Sequence, residues 1–375
     1  MIDPRWQGAR KVLLVRLDNL GDVLLNTPAF HAVKAALPEA SLSLLTSPVG
    51  AQVGQLHPDI DQVLVYQAPW VDPWQRLAQD SQREQQIIAR LKAEQFDGAI
   101  IFTSFRQSSL PAAYLCYLAD IPLRVAASLD GSGSLLTTRY KPSEHIIHEV
   151  ERGLNLVGAV GLMTDEQDLV LRVPASATQE AERYLAAWGF GQRRPLVVVH
   201  PGCSMPARTY PWEMYVEVIG LLVAGLDASI VVTGAQDERE LVTRVRDSVP
   251  EPYRSCALGM AGELDFPALC ALIQQADLLI TNNTGPMHIA AALKTSVVAL
   301  FALTNPPEQW GPWRVAHRQL YHEVPCRLCY SRVCPYNQEC LRLVSPAMVV
   351  TAASELLRAA DDDEEQNRLL EGAAS

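Results

Sequence analysis

Four loops in this chain gather small, charged and hydroxyl residues where a short apolar run gives way to a helical pattern. The first, Leu17-Asp-Asn-Leu-Gly-Asp22, follows Lys11-Val-Leu-Leu-Val-Arg16, with Gly21 permitting a tight backbone and Asp22 near a helix start. A carboxylate there can complement the helix dipole and cap N–H groups, or face a ligand and take a proton from a hydroxyl as general base. Spacing alone leaves both roles open. The second loop, Thr281-Asn-Asn-Thr-Gly-Pro-Met-His288, precedes Ile289-Ala-Ala-Ala-Leu293. Pro286 suits a first helical turn, Gly285 lets a ligand approach the backbone, and Thr284 with the free N–H groups can receive a phosphate. Asn283 and His288 flank that position, and His288 reads as a ligand contact rather than as packing alone.

The third loop starts at His200-Pro-Gly-Cys-Ser204 and carries Ala207-Arg-Thr-Tyr-Pro-Trp212, which makes Arg208 a candidate phosphate clamp. In the fourth, Gly234-Ala-Gln-Asp-Glu238, the glutamate can accept hydrogen bonds from ribose hydroxyls or simply favour a helix dipole. Neither the dinucleotide fingerprint Gly-x-Gly-x-x-Gly nor a Gly-x-x-x-x-Gly-Lys-Ser/Thr loop occurs, so redox-cofactor and P-loop chemistry lose support. A separate cluster, Cys326, Cys329, Cys334 and Cys340, has spacings that suit a structural zinc ion; the competing reading is a metal-free thiol loop or an opportunistic disulfide. Neither gives the cluster a catalytic role. Cys116, Cys203, Cys256 and Cys270 are scattered singly, as buried thiols in a reducing compartment are.

These loops need a frame that brings strand ends together. Short β-branched runs at 11–16, 42–46, 63–66 and 98–102 alternate with helical patterns, and the rhythm restarts at 196–200, 229–233, 277–281 and 297–301. That is the pattern of parallel sheets with helical crossovers, here in two series, with ligands expected at the carboxyl ends of the strands. The expected layout is an α/β protein of two facing Rossmann-like domains with a cleft between them. The boundaries are 1–175, a connection at 176–194, a second domain at 195–345, a helix at 346–360 and an acidic tail at 361–375 that opens with Asp361-Asp-Asp-Glu-Glu365.

The chain of 375 residues is 49% hydrophobic and 19% charged, enough apolar surface for two cores. A formal net charge of −11 argues against gripping nucleic acid over a broad surface. The amino-terminal apolar run is too brief for a signal peptide or a membrane span, so cytoplasmic residence is the expectation.

Taken in order, Lys11 to Phe30, His200-Pro-Gly202, Ala207 to Pro211, Val232-Thr-Gly-Ala235 and Asp277 to Ala292 resemble glycosyltransferase family 9, the lipopolysaccharide heptosyltransferases. The resemblance spans nearly everything but the acidic tail. It implies a GT-B fold with an amino-terminal acceptor domain and a carboxyl-terminal domain for a nucleotide-activated sugar, typically ADP-heptose. It also implies inverting transfer to a glycan or glycolipid acceptor with no cofactor needed for catalysis. Asp22 would be the base; Arg208, the Thr284/Gly285 helix start and His288 would stabilise the leaving diphosphate. Two positions depart from the family's habit, which has Lys where Arg208 stands and Asp where Asn283 stands; Arg keeps the charge and changes its geometry. Arg106, Arg124 and His148 are candidates for an anionic acceptor, against surface pairing or packing. A lipid-linked acceptor would require peripheral contact with the inner face of the cytoplasmic membrane. The competing functions are another sugar-nucleotide enzyme, such as an epimerase, and an idle carbohydrate-binding protein of the same fold.

Overall fold

Val12 to Arg16 are buried without interruption, which a strand achieves only when both faces of its sheet are covered and both edges are paired. In the computed structural model this strand, β1 (Lys11–Arg16), lies parallel between β2 (Ser41–Thr46) and β4 (Gly98–Ile101), with Val15 opposite Leu45 on one side and Ile101 on the other. The structure describes residues 1–72, 74, 76–190 and 195–374. Residues 191–194 of the expected connection and Ser375 of the expected tail lie outside them.

The chain divides into two units, Met1–Arg172 and Val173–Ser375. With β3 (Gln62–Val65), β5 (Leu123–Ala127) and β6 (Thr138–Tyr140), the first unit forms a parallel sheet in the order β3-β2-β1-β4-β5-β6. The second unit contains β7 (Leu196–His200), β8 (Ser229–Gly234), β9 (Ala257–Ala261), β10 (Leu278–Asn282), β11 (Ser296–Leu300) and β12 (His317–Leu320), ordered β12-β11-β10-β7-β8-β9. Each is a doubly wound α/β sheet. Strand order reverses between β1 and β4 in one and between β7 and β10 in the other, the places where crossovers part to opposite faces and leave a crevice.

Two expected boundaries move. The helix Ala175–Ala187 turns Ala177, Ala181 and Leu185 inward at helical spacing, and Gln275 donates from Nε2 to Thr178 O at 3.2 Å. Most of the expected connection is therefore a packed helix of the second unit. At the other end, the helix that begins at Pro346 runs to Ala374 instead of ending at 360. Its first turns bury Val349, Ala352, Ala353, Leu356 and Leu357, and no further Pro or Gly occurs along it before Gly372. The acidic run is embedded among strong helix formers and does not stop the helix.

Fold and acid sensitivity meet at His57, which follows the helix Ala51–Leu56 and is almost fully buried. Its Nε2 lies 3.3 Å from Thr27 O, while Nδ1 accepts the Asp59 N–H at 3.1 Å. Both contacts suit a neutral ring protonated on Nε2. Burial depresses its pKa to about 4. Between about pH 6.5 and 4 the unfolded chain takes up a proton that the folded chain does not, so stability falls with pH across that window, by up to about 3 kcal/mol. Urea unfolding at stepped pH should show this slope, and His57→Gln should flatten it; an equal slope in the variant would assign the acid lability elsewhere.

Candidate functional site

In the first unit the site is built on the guanidinium at the end of β1. Arg16 is 1% exposed, and a cation in that position requires partners. Its Nε lies 2.9 Å from Asp18 Oδ2, and its Nη2 lies 3.1 Å from Asp22 Oδ1 and donates to Ser104 Oγ at 2.6 Å. Ser104 passes its own hydrogen to Asp22 Oδ1 at 3.0 Å. Asp22 occupies the third position of the helix Leu20–Leu24, where its Oδ2 accepts the Asn19 N–H at 3.2 Å. One carboxylate thus both ties down the helix start and sits in a charged network. Its side chain is 14% exposed.

Asp18 is buried deeper and accepts from Gln107 Nε2 at 2.6 Å. Burial pushes its carboxyl above the usual range against the pull of Arg16, and Asp22 adds to the rise. Burial works against the Arg16 charge, but Asp18, Asp22 and Glu149 outweigh it and raise the guanidinium pKa. Beside this network, at the reversal between β1 and β4, opens a cavity of about 330 Å³ lined by Leu17, Asp18, Trp70, Phe102, Arg106 and Gln107. That volume holds a sugar-sized ligand.

In the second unit, the loops after β7 and β10 flank the corresponding reversal, with the loop after β8 alongside. Asn282 ties them together: Nδ2 donates to Pro201 O at 2.9 Å and to Gly202 O at 3.2 Å, and Oδ1 accepts the Tyr210 N–H at 2.9 Å. Arg208 ends a short turn, Pro206–Arg208, and its Nε donates to Thr304 Oγ1 at 2.8 Å. Thr284 precedes the helix Gly285–Leu293, with Pro286 in its first turn and His288 buried behind it. Glu238 accepts the Ala235 N–H at 2.8 Å and lies 3.6 Å from His200 Nε2; burial lowers the pKa of that imidazole, and Glu238 opposes the shift. Gly202 makes room for this carboxylate, since a Cβ there would stand 1.9 Å from Glu238 Oε1.

The second unit's strand-end loops and the segment carrying Ser104 and Gln107 in the first unit lie within one family pattern, which begins after Asp22. The profile of glycosyltransferase family 9 (heptosyltransferase) matches residues 85–339. The chain belongs to glycosyltransferase family 9. Among its relatives, lipopolysaccharide heptosyltransferase 3 of Escherichia coli K12 is 26% identical over 345 residues, covering 90% of this chain and 95% of that protein. A family 9 glycosyl transferase of Veillonella parvula superposes with a TM-score of 0.79 at 20% identity, covering 93% and 98% of the two chains. An ADP-heptose lipopolysaccharide heptosyltransferase II of E. coli gives a TM-score of 0.75 at 18% identity over 94% and 99%. These structures share the expected GT-B fold, two parallel α/β units.

Within this family 9 chain, the expected site residues separate into groups. Asp22 stands in the charged network, Arg106 lines the first unit's cavity, and Arg208, Glu238, Thr284, Gly285 and His288 lie on or just after the strand-end loops that follow β7, β8 and β10. Arg124, expected as an acceptor contact, is placed in a structural role. It is buried and donates to the carbonyls of Ile121, Pro122, Ser134 and Leu135. His148 caps the helix Glu149–Gly158 by accepting the Val150 N–H on Nδ1 at 3.2 Å. Asn283 is buried and braces a neighbouring loop: Nδ2 donates to Asn305 Oδ1 at 3.2 Å and Oδ1 accepts the Ala302 N–H at 3.2 Å, within the loop that holds Thr304. Arg16, Asp18, Ser104, Gln107 and Asn282 carry the geometry without having been singled out by sequence.

The four clustered cysteines are free thiols. Burial raises the Cys340 thiol, and the other three add to the effect. Cys334 Sγ accepts the N–H groups of Tyr336 and Gln338, and among the described residues no group of three or more His, Cys, Asp or Glu side chains is arranged to hold a metal ion. The loop also braces the second site. Arg332 O accepts the Ala207 N–H at 2.9 Å, Gln338 Nε2 donates to Pro206 O at 2.6 Å, and Tyr330 N donates to Thr304 O at 2.9 Å. It therefore grips both the turn that presents Arg208 and the loop that holds its guanidinium.

Proposed function

We propose that this chain transfers heptose from ADP-heptose, with inversion and without a catalytic metal, to a glycan resembling the lipopolysaccharide core. The observation that carries the reading is the Asp22 carboxylate, held by Arg16 and Ser104 at the sheet reversal beside a sugar-sized cavity. A hydroxyl of the acceptor, bound in the first unit, gives its proton to Asp22 as its oxygen bonds to the anomeric carbon. The bond from that carbon to the diphosphate breaks, and ADP leaves with the electron pair. Positive charge for the departing diphosphate comes from Arg208 and from the amide dipoles at the Gly285 helix start. Glu238 accepts from the ribose hydroxyls. The printed names of two similar proteins, a lipopolysaccharide heptosyltransferase 3 and an ADP-heptose lipopolysaccharide heptosyltransferase II, support this choice of donor and acceptor.

Among the described residues no helix is long and apolar enough to cross a membrane. A glycolipid acceptor is therefore met by peripheral contact at the cytoplasmic face. The deciding experiment offers ADP-heptose and other nucleotide sugars with lipopolysaccharide-core fragments and follows the product by mass spectrometry. A core fragment heavier by one heptose is the expected result. Conversion of a nucleotide sugar without any acceptor would replace the transferase reading with an epimerase.

A further inference from the structure

The Glu238 carboxylate is held from behind by the His200-Pro-Gly202 turn and by one backbone amide. Val199 pairs with Val232 across the parallel β7 and β8, which brings His200 and Thr233 side by side at the strand ends. Both are buried, and Thr281 Oγ1 donates to His200 O at 3.2 Å, so the ring is carried on a pinned backbone. His200 Nδ1 lies 3.0 Å from Thr233 Oγ1, and Nε2 lies 3.6 Å from Glu238 Oε2. We infer that His200 is a positioning residue for nucleotide selection: its Nε2 edge orients Glu238 so that the other carboxylate oxygen is presented to the ribose. This role rests on the reading that Glu238 accepts from the ribose hydroxyls.

The tautomer follows from the partners. Among the described residues, the buried Thr233 hydroxyl has His200 Nδ1 as its hydrogen-bond partner. A hydroxyl donating to Nδ1 leaves the ring proton on Nε2, where it faces a carboxylate; the opposite tautomer would turn the Nε2 lone pair on that carboxylate. Burial lowers the pKa of the imidazole, so the ring meets Glu238 as a neutral dipole rather than as a full charge. At 3.6 Å the contact is longer than a hydrogen bond, which suits a group that steers the carboxylate without saturating it. Oε2 also accepts the Ala235 N–H at 2.8 Å. Oε1 takes no hydrogen bond among the described residues and lies over Gly202, where a Cβ would stand 1.9 Å from it. Helix capping alone accounts for the Ala235 contact, but not for a buried histidine and a glycine both fitted to the same carboxylate.

The test titrates ADP, and dideoxy-ADP lacking both ribose hydroxyls, into the full chain by calorimetry and reads the ratio of the two affinities. The wild type should prefer ADP by about 10- to 100-fold, the range for hydrogen bonds to a charged acceptor. His200→Asn keeps an amide for Thr233 but is too short to face Glu238. Its preference should fall to about threefold or less through weaker ADP binding, with dideoxy-ADP held within about twofold of wild type. His200→Gln, which can place an N–H where Nε2 stood, should restore most of the preference. A merely structural role would weaken both nucleotides alike, so equal losses overturn the inference, as does a wild-type ratio in His200→Asn. Glu238→Ala in the same titration separates the two readings. A preference that is absent from the wild type, or that survives in Glu238→Ala, removes the carboxylate from the ribose and the inference with it. A preference lost in Glu238→Ala and kept in His200→Asn removes only the role of His200. Should the His200 variants give no cooperative melt, nitrogen NMR of the wild-type ring decides. A neutral Nε2–H tautomer whose proton shifts with ADP and not with dideoxy-ADP is expected; an Nδ1–H tautomer, or equal shifts with both nucleotides, overturns the inference.

Discussion

Asp22→Asn is expected to lower the transfer rate by about two to four orders of magnitude while leaving a folded protein with ordinary affinity for ADP. The substitution separates the helix-start contact of this carboxylate from the proton acceptance proposed for it. The amide oxygen can still accept the Asn19 N–H, so the helix Leu20–Leu24 keeps its start. Arg16 loses one partner but keeps Asp18 at 2.9 Å and Ser104 at 2.6 Å, so the cation is not left stranded. The melting temperature should therefore drop by no more than about 5 °C. Proton acceptance is what disappears. The loops proposed to hold the donor belong to the second unit, so ADP titration by calorimetry should be unaffected. Near-normal turnover would sink the base assignment, and a collapse of stability in step with the rate would make Asp22 a helix-capping residue.

Half of this site could be read along the chain, and the reason lies in sequence distance. The Asp22 loop is local: an apolar run, a glycine and an acid within a few residues suffice to mark a strand end. Ser104 and Gln107 reach it only because β4 lies beside β1, an adjacency set by sheet order and invisible in spacing. Arg16 reads as a solvated strand terminus until two carboxylates are found on it. Arg124 and Asn283 fail for the opposite reason. A charge or an amide in the right loop looks available, yet four carbonyls engage all three nitrogens of the first, and Asn305 and Ala302 engage both ends of the amide of the second.

Among the strands, most of those legible from sequence are central ones buried on both faces, such as β1, β7 and β10, where apolar residues run without a break, although the edge strand β3 is legible too from its β-branched run. Those missed carry a weaker signal. β6 has three residues and lies at an edge, and β12, His317–Leu320, has polar residues at three of its four positions because one side of it is unpaired. β9 contains Gly259 and small alanines whose β propensity is low, so its pairing with β8 depends on the neighbouring strand.

Arg208→Ala should lower kcat/KM for the nucleotide sugar by about 100- to 1000-fold, the range for removing one fixed donor from developing charge. The side chain is held by its own edge, since Nε donates to Thr304 Oγ1, and Thr304 is in turn linked through Asn305 to Asn283. That chain of bonds sets the guanidinium plane before substrate arrives. An ammonium has no plane to set and cannot combine the Thr304 contact with the same geometry toward a diphosphate, so Arg208→Lys should recover only part of the loss. Thr304→Val leaves the charge in place and removes its guide. Its kcat/KM should therefore fall between wild type and Arg208→Ala. Steady-state kinetics with saturating acceptor would check all three. Equal kcat/KM in Arg208→Ala and wild type would move the diphosphate away from this turn, and an Arg208→Lys variant as active as wild type would show that charge alone is sufficient.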